Sequence, residues 1–206
     1  MEKHRIVCIG RQFGSGGQEI GEGLAKRLGI PLYDKEILKK AAADSGIVEE
    51  LFEKADEKPT NSFLYSLSVG THGQAMGFNS YGSYLTNDKL FVFQSNTIRE
   101  LAEKGSCIFI GRCADYILRD RKDMLSVFVH APLEERIAYV QRARPGATVE
   151  AARAFIKKSD RQRANYYNFY ADSDWGAADT YDVAINSGKL GIEKSVEVLA
   201  AMCEHM

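Results

Sequence analysis

Five short apolar runs, each leading into a longer stretch of helical character, set the order of this chain. Ile6–Ile9, "IPLYD" (30–34), "CIFIG" (107–111), "LSVFVHA" (125–131) and "YDVAIN" (181–186) read as strands. Between them, Ile20, Leu24, Ala25 and Leu28 recur at helical spacing and Gly29 stops the helix. "KEILKKAAADSG" ends near Gly46, "FVFQSNTIRELAEKG" (91–105) ends at Gly105, and "RCADYILRD" continues as helix after the third strand. Leu133, Ile137 and Val140 mark the next helix, 148–170 a long one, and "GIEKSVEVLAAM" the last. Strands alternating with helices predict a parallel sheet covered on both faces. Right-handed crossovers place the strand C-terminal ends on one edge, and ligands of such folds bind there. Residues 10–18, 34–36, 111–116 and 187–190 are expected at that edge.

The chain has 206 residues, 45% of them apolar, which suits one compact domain, with room for a mobile part. A core of this size needs no disulfides. Cys8, Cys107, Cys113 and Cys203 make no CxxC pair and read as reduced thiols of a cytoplasmic protein. The four histidines are scattered, so no structural metal site is expected. A net charge of −1 speaks against a nucleic-acid partner. No apolar run approaches the roughly 20 residues of a membrane span, and Arg5, Arg11 and Glu19 interrupt any leader-like segment. Residues 56–89, rich in Gly, Ser, Asn and Tyr, break the pattern and read as a functional or mobile segment.

"GRQFGSGGQEI" (10–20) joins the first strand to the first helix. Gly14, Gly16 and Gly17 permit a turn whose backbone N–H groups converge, and the helix N-terminus adds partial positive charge. Set against GxxxxGK(S/T), Arg11 takes the first glycine position, Gly17 the lysine position and Gln18 that of the magnesium-binding hydroxyl. The segment is either an anion cradle, with Ser15 and Glu19 inside or beside it, or a tight turn with no ligand. Arg11 either replaces the lysine as the phosphate-binding cation or pairs with Glu19 or Asp34.

Arg112 and Asp115 stand just past the third strand. A guanidinium there can grip a phosphate with two parallel hydrogen bonds, and a carboxylate can orient magnesium through water. Arg136, Arg142, Arg144, Arg153, Lys157, Lys158, Arg161 and Arg163 make a local basic segment, with an Arg144-Pro145-Gly146 turn as a candidate hinge. It is either a solvated face or a lid that brings arginines onto a transferred group. Asp34 and Lys35 follow the second strand, with helix capping the leading role for Asp34 and an acceptor border the other. Tyr166, Tyr167, Phe169 and Tyr170 read as packing, and Tyr81 and Tyr84 as candidates to stack on an acceptor ring.

In "IGRQFGSGGQEIGEGLAKRLGIPLYDKEIL", "IFIGRCADYIL", "VFVHAPLEERI", "KKSDRQRANYY" and "YDVAINSGKLGIEKSVEVL" the chain resembles the P-loop nucleoside monophosphate kinases, and more narrowly the cytidylate kinase-like family of bacteria and archaea. The similar members also carry Gly-Gly where other cytidylate kinases carry the loop lysine. The resemblance implies a three-layer α/β/α sandwich with a parallel sheet as a single domain over 1–206. It adds an acceptor-binding insertion at about 35–90 and a lid at about 142–170. It also implies ATP and Mg2+ as cofactors and phosphoryl transfer to a nucleoside monophosphate, CMP or dCMP first.

Under that resemblance Gly14, Ser15, Gly16, Gly17, Gln18 and Glu19 would hold the donor phosphates. Ser187, Gly188 and Lys189 would lie at the donor base, though a plain strand-to-helix turn is the other reading. Arg112 would hold the acceptor phosphate, and Asp34 and Lys35 would border the acceptor nucleotide. Gln18 and Asp115 would face magnesium, and Arg11, Arg136, Arg161 and Arg163 would serve the transferred group. A kinase of another small metabolite and a non-catalytic nucleotide-binding regulator remain as competing readings. The expected partners are a nucleotide donor and a small-molecule acceptor, with no membrane, and with a homodimer left open.

Overall fold

The computed structural model describes residues 4–46 and 87–206. Among them, five strands form one parallel sheet: β1 (Ile6–Arg11), β2 (Leu32–Tyr33), β3 (Cys107–Ile110), β4 (Met124–His130) and β5 (Val183–Asn186). Their order is β2-β3-β1-β4-β5, so β1 lies at the centre. Seven described helices accompany them: α1 (Gly17–Leu28), α2 (Lys35–Ser45), α3 (Asn87–Lys104), α4 (Ala114–Ile117), α5 (Leu133–Ala143), α6 (Val149–Tyr170) and α7 (Ser187–Glu204). Tyr81 and Tyr84, and most of the expected 56–89 segment, lie outside the described residues; its last three positions open α3.

The two faces of β1 build two cores. Val7 and Ile9 join Ile108, Ile110, Val127 and Val129 beneath α1 and α7, which contribute Ile20, Leu24, Val196 and Leu199. Ile6 and Cys8 join Phe109 on the other face, under Ile98 of α3, Ile117 of α4 and Tyr166 and Tyr167 of α6. Strands buried on both sides explain the unbroken apolar runs in the sequence. The α5–α6 hairpin has its own small core of Ile137, Val140, Ala152 and Ile156, against which Phe13 packs. All four cysteines are free and buried. Burial pushes the Cys107 thiol up to about 12, so it packs as a small apolar group.

Helix ends follow the signals in the chain. Gly29 and Gly46 adopt left-handed C-cap geometry at φ 66° and 69°. Elsewhere the structure departs from expectation. The helix expected over "RCADYILRD" is reduced to one turn, because Arg112 (φ 61°) and Cys113 (φ 54°) are left-handed and postpone its start. The last strand begins at Val183, two residues late. Tyr181 instead packs over Gly10, and the Asp182 carboxylate accepts from both the N–H and the hydroxyl of Ser126, each at 2.8 Å. The last helix starts early, at Ser187, and breaks at Gly191 (φ 76°, ψ 169°).

Leu199 is fully buried between α7 and the sheet. Leu199→Ala is expected to cost about 2–5 kcal/mol, the transfer loss plus the cavity left behind. The check is the urea midpoint at an unchanged m-value.

Candidate functional site

The C-terminal ends of β1 and β3 deliver the residues of interest. Strand alternation puts Arg11 on the α1 side of the sheet, with Val7 and Ile9. The chain then turns through Gly14 (φ 75°) and Gly16 (φ 74°) into α1. A methyl group added at Gly16 would lie 2.4 Å from Ile192 Cδ1, and one at Gly14 would lie 3.2 Å from the Arg136 carbonyl oxygen. Both positions therefore favour glycine by their backbone angle, and the Arg136 carbonyl crowds Gly14 as well. Gly16, at the N-cap of α1, has no side chain to place on the donors of the first turn. The Ser15 hydroxyl folds back onto the Gln12 carbonyl at 2.9 Å. Ser187 reaches across from α7, its hydroxyl 2.5 Å from the Ser15 carbonyl and 3.1 Å from that of His130. Beside the loop a groove of about 480 Å3 opens between Tyr139, Arg142, Gly188 and Ile192.

Gly17 is where the departure from the usual loop finds its physical cause. A Cβ at this position would sit 2.6 Å from Arg11 Cβ and 3.0 Å from its Cγ. The aliphatic stem of Arg11 already fills the volume through which a lysine side chain would leave position 17. Arg11, Arg112 and Arg163 then line one cavity of about 20 Å3 beside Gly10 and Gly111.

Arg112 is 4% exposed and sits in a run of three left-handed residues, Gly111, Arg112 and Cys113. Such backbone strain persists only where the surroundings impose it. Here the Gln94 side chain donates to the Arg112 carbonyl at 3.2 Å. Arg112 Nε donates to the Asp34 carbonyl at 3.2 Å, and its Nη2 lies 3.5 Å from the Asp34 carboxylate. Asp115 is 8% exposed and accepts a 2.6 Å hydrogen bond from the Tyr167 hydroxyl. Burial raises its pKa, against the lowering effect of Tyr167 and nearby backbone N–H groups. Tyr181 Oη, facing the same cavity, is the only buried side-chain polar atom without a hydrogen bond among the described residues.

With a lysine-less glycine loop, a buried Gly-Arg turn and an arginine-bearing hairpin around one edge, the sequence comparison agrees. The model of the cytidylate kinase-like family matches residues 6–189. The chain belongs to the cytidylate kinase-like family. A crystal structure of an uncharacterized protein from Eubacterium ventriosum is similar at 29% identity and a TM-score of 0.71, covering 98% of this chain and 99% of that one. A shikimate kinase from Bacteroides thetaiotaomicron (16% identity, TM-score 0.56, 97% and 98% covered) and a gluconokinase from Sinorhizobium meliloti (14%, 0.51, 100% and 97%) share the fold. Search of curated proteins finds no match. The fold is thus the α/β sandwich of P-loop kinases, and membership of a kinase-like family implies nucleotide binding.

Several of the expected site residues meet at this edge: Arg11, Gly14–Gly17, Asp34, Arg112, Asp115, Arg163, Ser187 and Gly188. Others are engaged elsewhere. Asp34 occupies the N-cap position of α2, but its side chain makes no capping hydrogen bond and faces Arg112 instead. Arg136 is 5% exposed and bound to the Phe13 carbonyl and to Asp160, rather than open toward the groove. Arg161 lies on the exposed face of α6, and Lys189 is exposed, its N–H bound by the Asn186 side chain at 3.3 Å. Glu19 borders the groove, and the Gln18 amide donates to Glu22 at 3.2 Å. The side chain of Lys35 lies outside the described part. Tyr170 stacks on Phe91 at 3.9 Å, a packing role.

The glycines at 14, 16 and 17 suit a polyphosphate, since they put no side chain in the turn and meet its positive φ at 14 and 16. No cluster of three or more metal-ligating side chains occurs among the described residues. Magnesium, were it bound with a nucleotide, would be held mainly by phosphates and water, with Gln18 or Asp115 as protein groups. No described helix is long and apolar enough to cross a membrane. Sequence reading passed over Asp160, and took Tyr167 for packing and Tyr181 for the start of the last strand, where both bring hydroxyls to this edge. The signal for Asp160 was a single acid inside the basic run "KKSDRQR".

The Asp115 carboxyl yields a pH prediction. Its folded pKa lies above its unfolded value, so the folded protein keeps a proton that the unfolded chain has released. Its contribution is therefore fully present below about pH 4, the ordinary Asp value, and falls as pH rises through the folded pKa. Asp115→Asn removes this dependence, so urea midpoints should favour the variant progressively, relative to wild type, as pH climbs from about 4. A gap independent of pH would mean an ordinary carboxyl.

Proposed function

We propose that this protein transfers the γ-phosphoryl group of ATP to a nucleoside monophosphate, with CMP or dCMP the first acceptor, and that Arg11 stands in for the loop lysine. The contact between the Arg11 stem and Gly17 carries the reading, since it turns loss of the lysine into relocation of the cation. Phosphoryl transfer asks the protein mainly for positioning and for stabilisation of spread negative charge. Magnesium, when bound with ATP, would bridge the phosphates and offset their charge. The residues present suit the remaining tasks. The amides from Gly14 onward, that of Ser15 apart, face the donor phosphates, and Arg163, from the hairpin, and Arg112, from the strained turn, offer charge on the acceptor side. The groove beside Tyr139, Arg142 and Gly188 has room for the donor base.

A second reading has a specific support: the shared fold of a shikimate kinase and a gluconokinase keeps a non-nucleotide acceptor in play. The family resemblance favours the nucleotide.

Arg11→Ala is expected to weaken Mg-ATP binding about 10- to 100-fold by calorimetry, the range for losing a hydrogen bond to a charged group. Gly17→Lys combined with Arg11→Gly should restore part of the loss, because the clashing Cβ at position 11 is then gone along with the rest of the stem. Unchanged affinity in Arg11→Ala would remove arginine from the site. Arg163→Ala is expected to lower kcat by about 1,000-fold, as for an arginine acting on the transferred group. A coupled ADP-release assay over nucleoside monophosphates and small hydroxy-acid acceptors reads this. Nucleotide binding without turnover on any acceptor would instead favour a regulator.

A further inference from the structure

Both backbone groups of Phe13, at the entrance of the glycine loop, are held by side chains. Its N–H donates to Asp160 Oδ1 at 2.7 Å, and its carbonyl accepts from Arg136 Nε at 2.7 Å. Arg136 Nη2 and Asp160 Oδ2 close the ring as an ion pair, with the Arg136 side chain 6% exposed. Arg136 comes from α5 and Asp160 from α6, so both arms of the hairpin grip the two peptide units flanking one residue. Two further contacts run alongside. The Phe13 ring meets Phe155 edge-on at 4.9 Å, and Arg163 Nη1 donates to the Arg11 carbonyl at 3.1 Å.

We propose that Asp160 and Arg136 are positioning residues that latch the α5–α6 hairpin to the phosphate loop, so that hairpin and loop move as one unit. The inference deepens the nucleotide-site reading and rests on it. Swinging the loop away at Phe13 would break two charge-assisted hydrogen bonds and leave the buried Arg136 guanidinium and the Asp160 carboxylate each short of one partner. A carboxylate beside a phosphate cradle would by itself repel the ligand. The Arg136 partner cancels that charge, so the pair adds geometry without adding field. The Phe13 N–H is committed to Asp160 and the Ser15 N–H to the Gln12 carbonyl, so neither serves as a donor to an anion. Movement of the hairpin relative to the loop is left to its tip, around Arg144-Pro145-Gly146, where Gly146 has φ 92°.

Asp160→Asn and Asp160→Ala separate positioning from plain support. Both abolish the ion pair, but Asn keeps an acceptor oxygen for the Phe13 N–H. Hydrogen exchange of amides 12–17 and calorimetry with Mg-ATP are the readouts. Asp160→Ala should speed loop exchange and weaken Mg-ATP by about tenfold or more, while Asp160→Asn stays within about threefold of wild type on both. Equal effects of the two substitutions, or loop exchange in Asp160→Ala at the wild-type rate, would overturn the latch. Should wild type bind no Mg-ATP, the kinase reading falls while the exchange arm still decides the latch. If Asp160→Ala does not fold, Arg136→Lys replaces it, since an ammonium cannot bridge Phe13 and Asp160 as the planar fork does. Faster exchange at 12–17 then supports the latch, and an unchanged rate refutes it.

Discussion

Arg11 and Gly17 compete for one volume, and the architecture of the site follows from which of them carries the side chain. The central position of β1, paired to β3 on one side and β4 on the other, fixes the register that points Arg11 toward α1. Once its stem lies across the start of that helix, any side chain at position 17 is excluded by about an ångström of overlap. Under the proposed function the loop keeps its backbone donors while drawing its cation from the strand instead of the helix. An arginine brings a planar fork rather than a point charge, which favours phosphate oxygens presented in pairs.

The two buried arginines among the described residues are each tied to a backbone carbonyl as well as to a carboxylate: Arg112 to Asp34, and Arg136 to Phe13 and Asp160. A buried cation held this way serves as a bracket between segments far apart in sequence. Arg112 joins the end of β3 to the end of β2, and Arg136 joins the hairpin to the glycine loop. The edge of the sheet is therefore stitched together by guanidinium groups, and the fold's stability and the shape of the site draw on the same contacts.

Much of the scaffold could be read from the chain. Apolar runs, helical spacing and terminal glycines place all five strands and most described helix ends, because these depend on local chemistry and burial. What escaped was set by contacts distant in sequence. The short α4 could not be foreseen, since "RCADYILRD" has good helical character and only the packing around Arg112 forces two left-handed residues onto it. Asp34 looked like a cap because its sequence context is that of one; Arg112, 78 positions away, takes its carbonyl instead. Asp160 was hidden among lysines and arginines, and its partner Phe13 N–H lies 147 residues away. The glycine loop itself was legible as a strand-to-helix turn, but the reason for its missing lysine was not, because a steric exclusion between positions 11 and 17 leaves no mark in composition or periodicity.

The three successive left-handed residues at Gly111–Cys113 carry a consequence for the history of such a protein. Two of them are not glycine, and each costs on the order of 1–3 kcal/mol that the surrounding contacts must offset. Replacing Cys113 by glycine would relax the turn and leave the guanidinium in place, whereas the same exchange at Arg112 would also give up its bracket to Asp34. A search for heat-tolerant variants would therefore settle on the second of these two bends and spare the first.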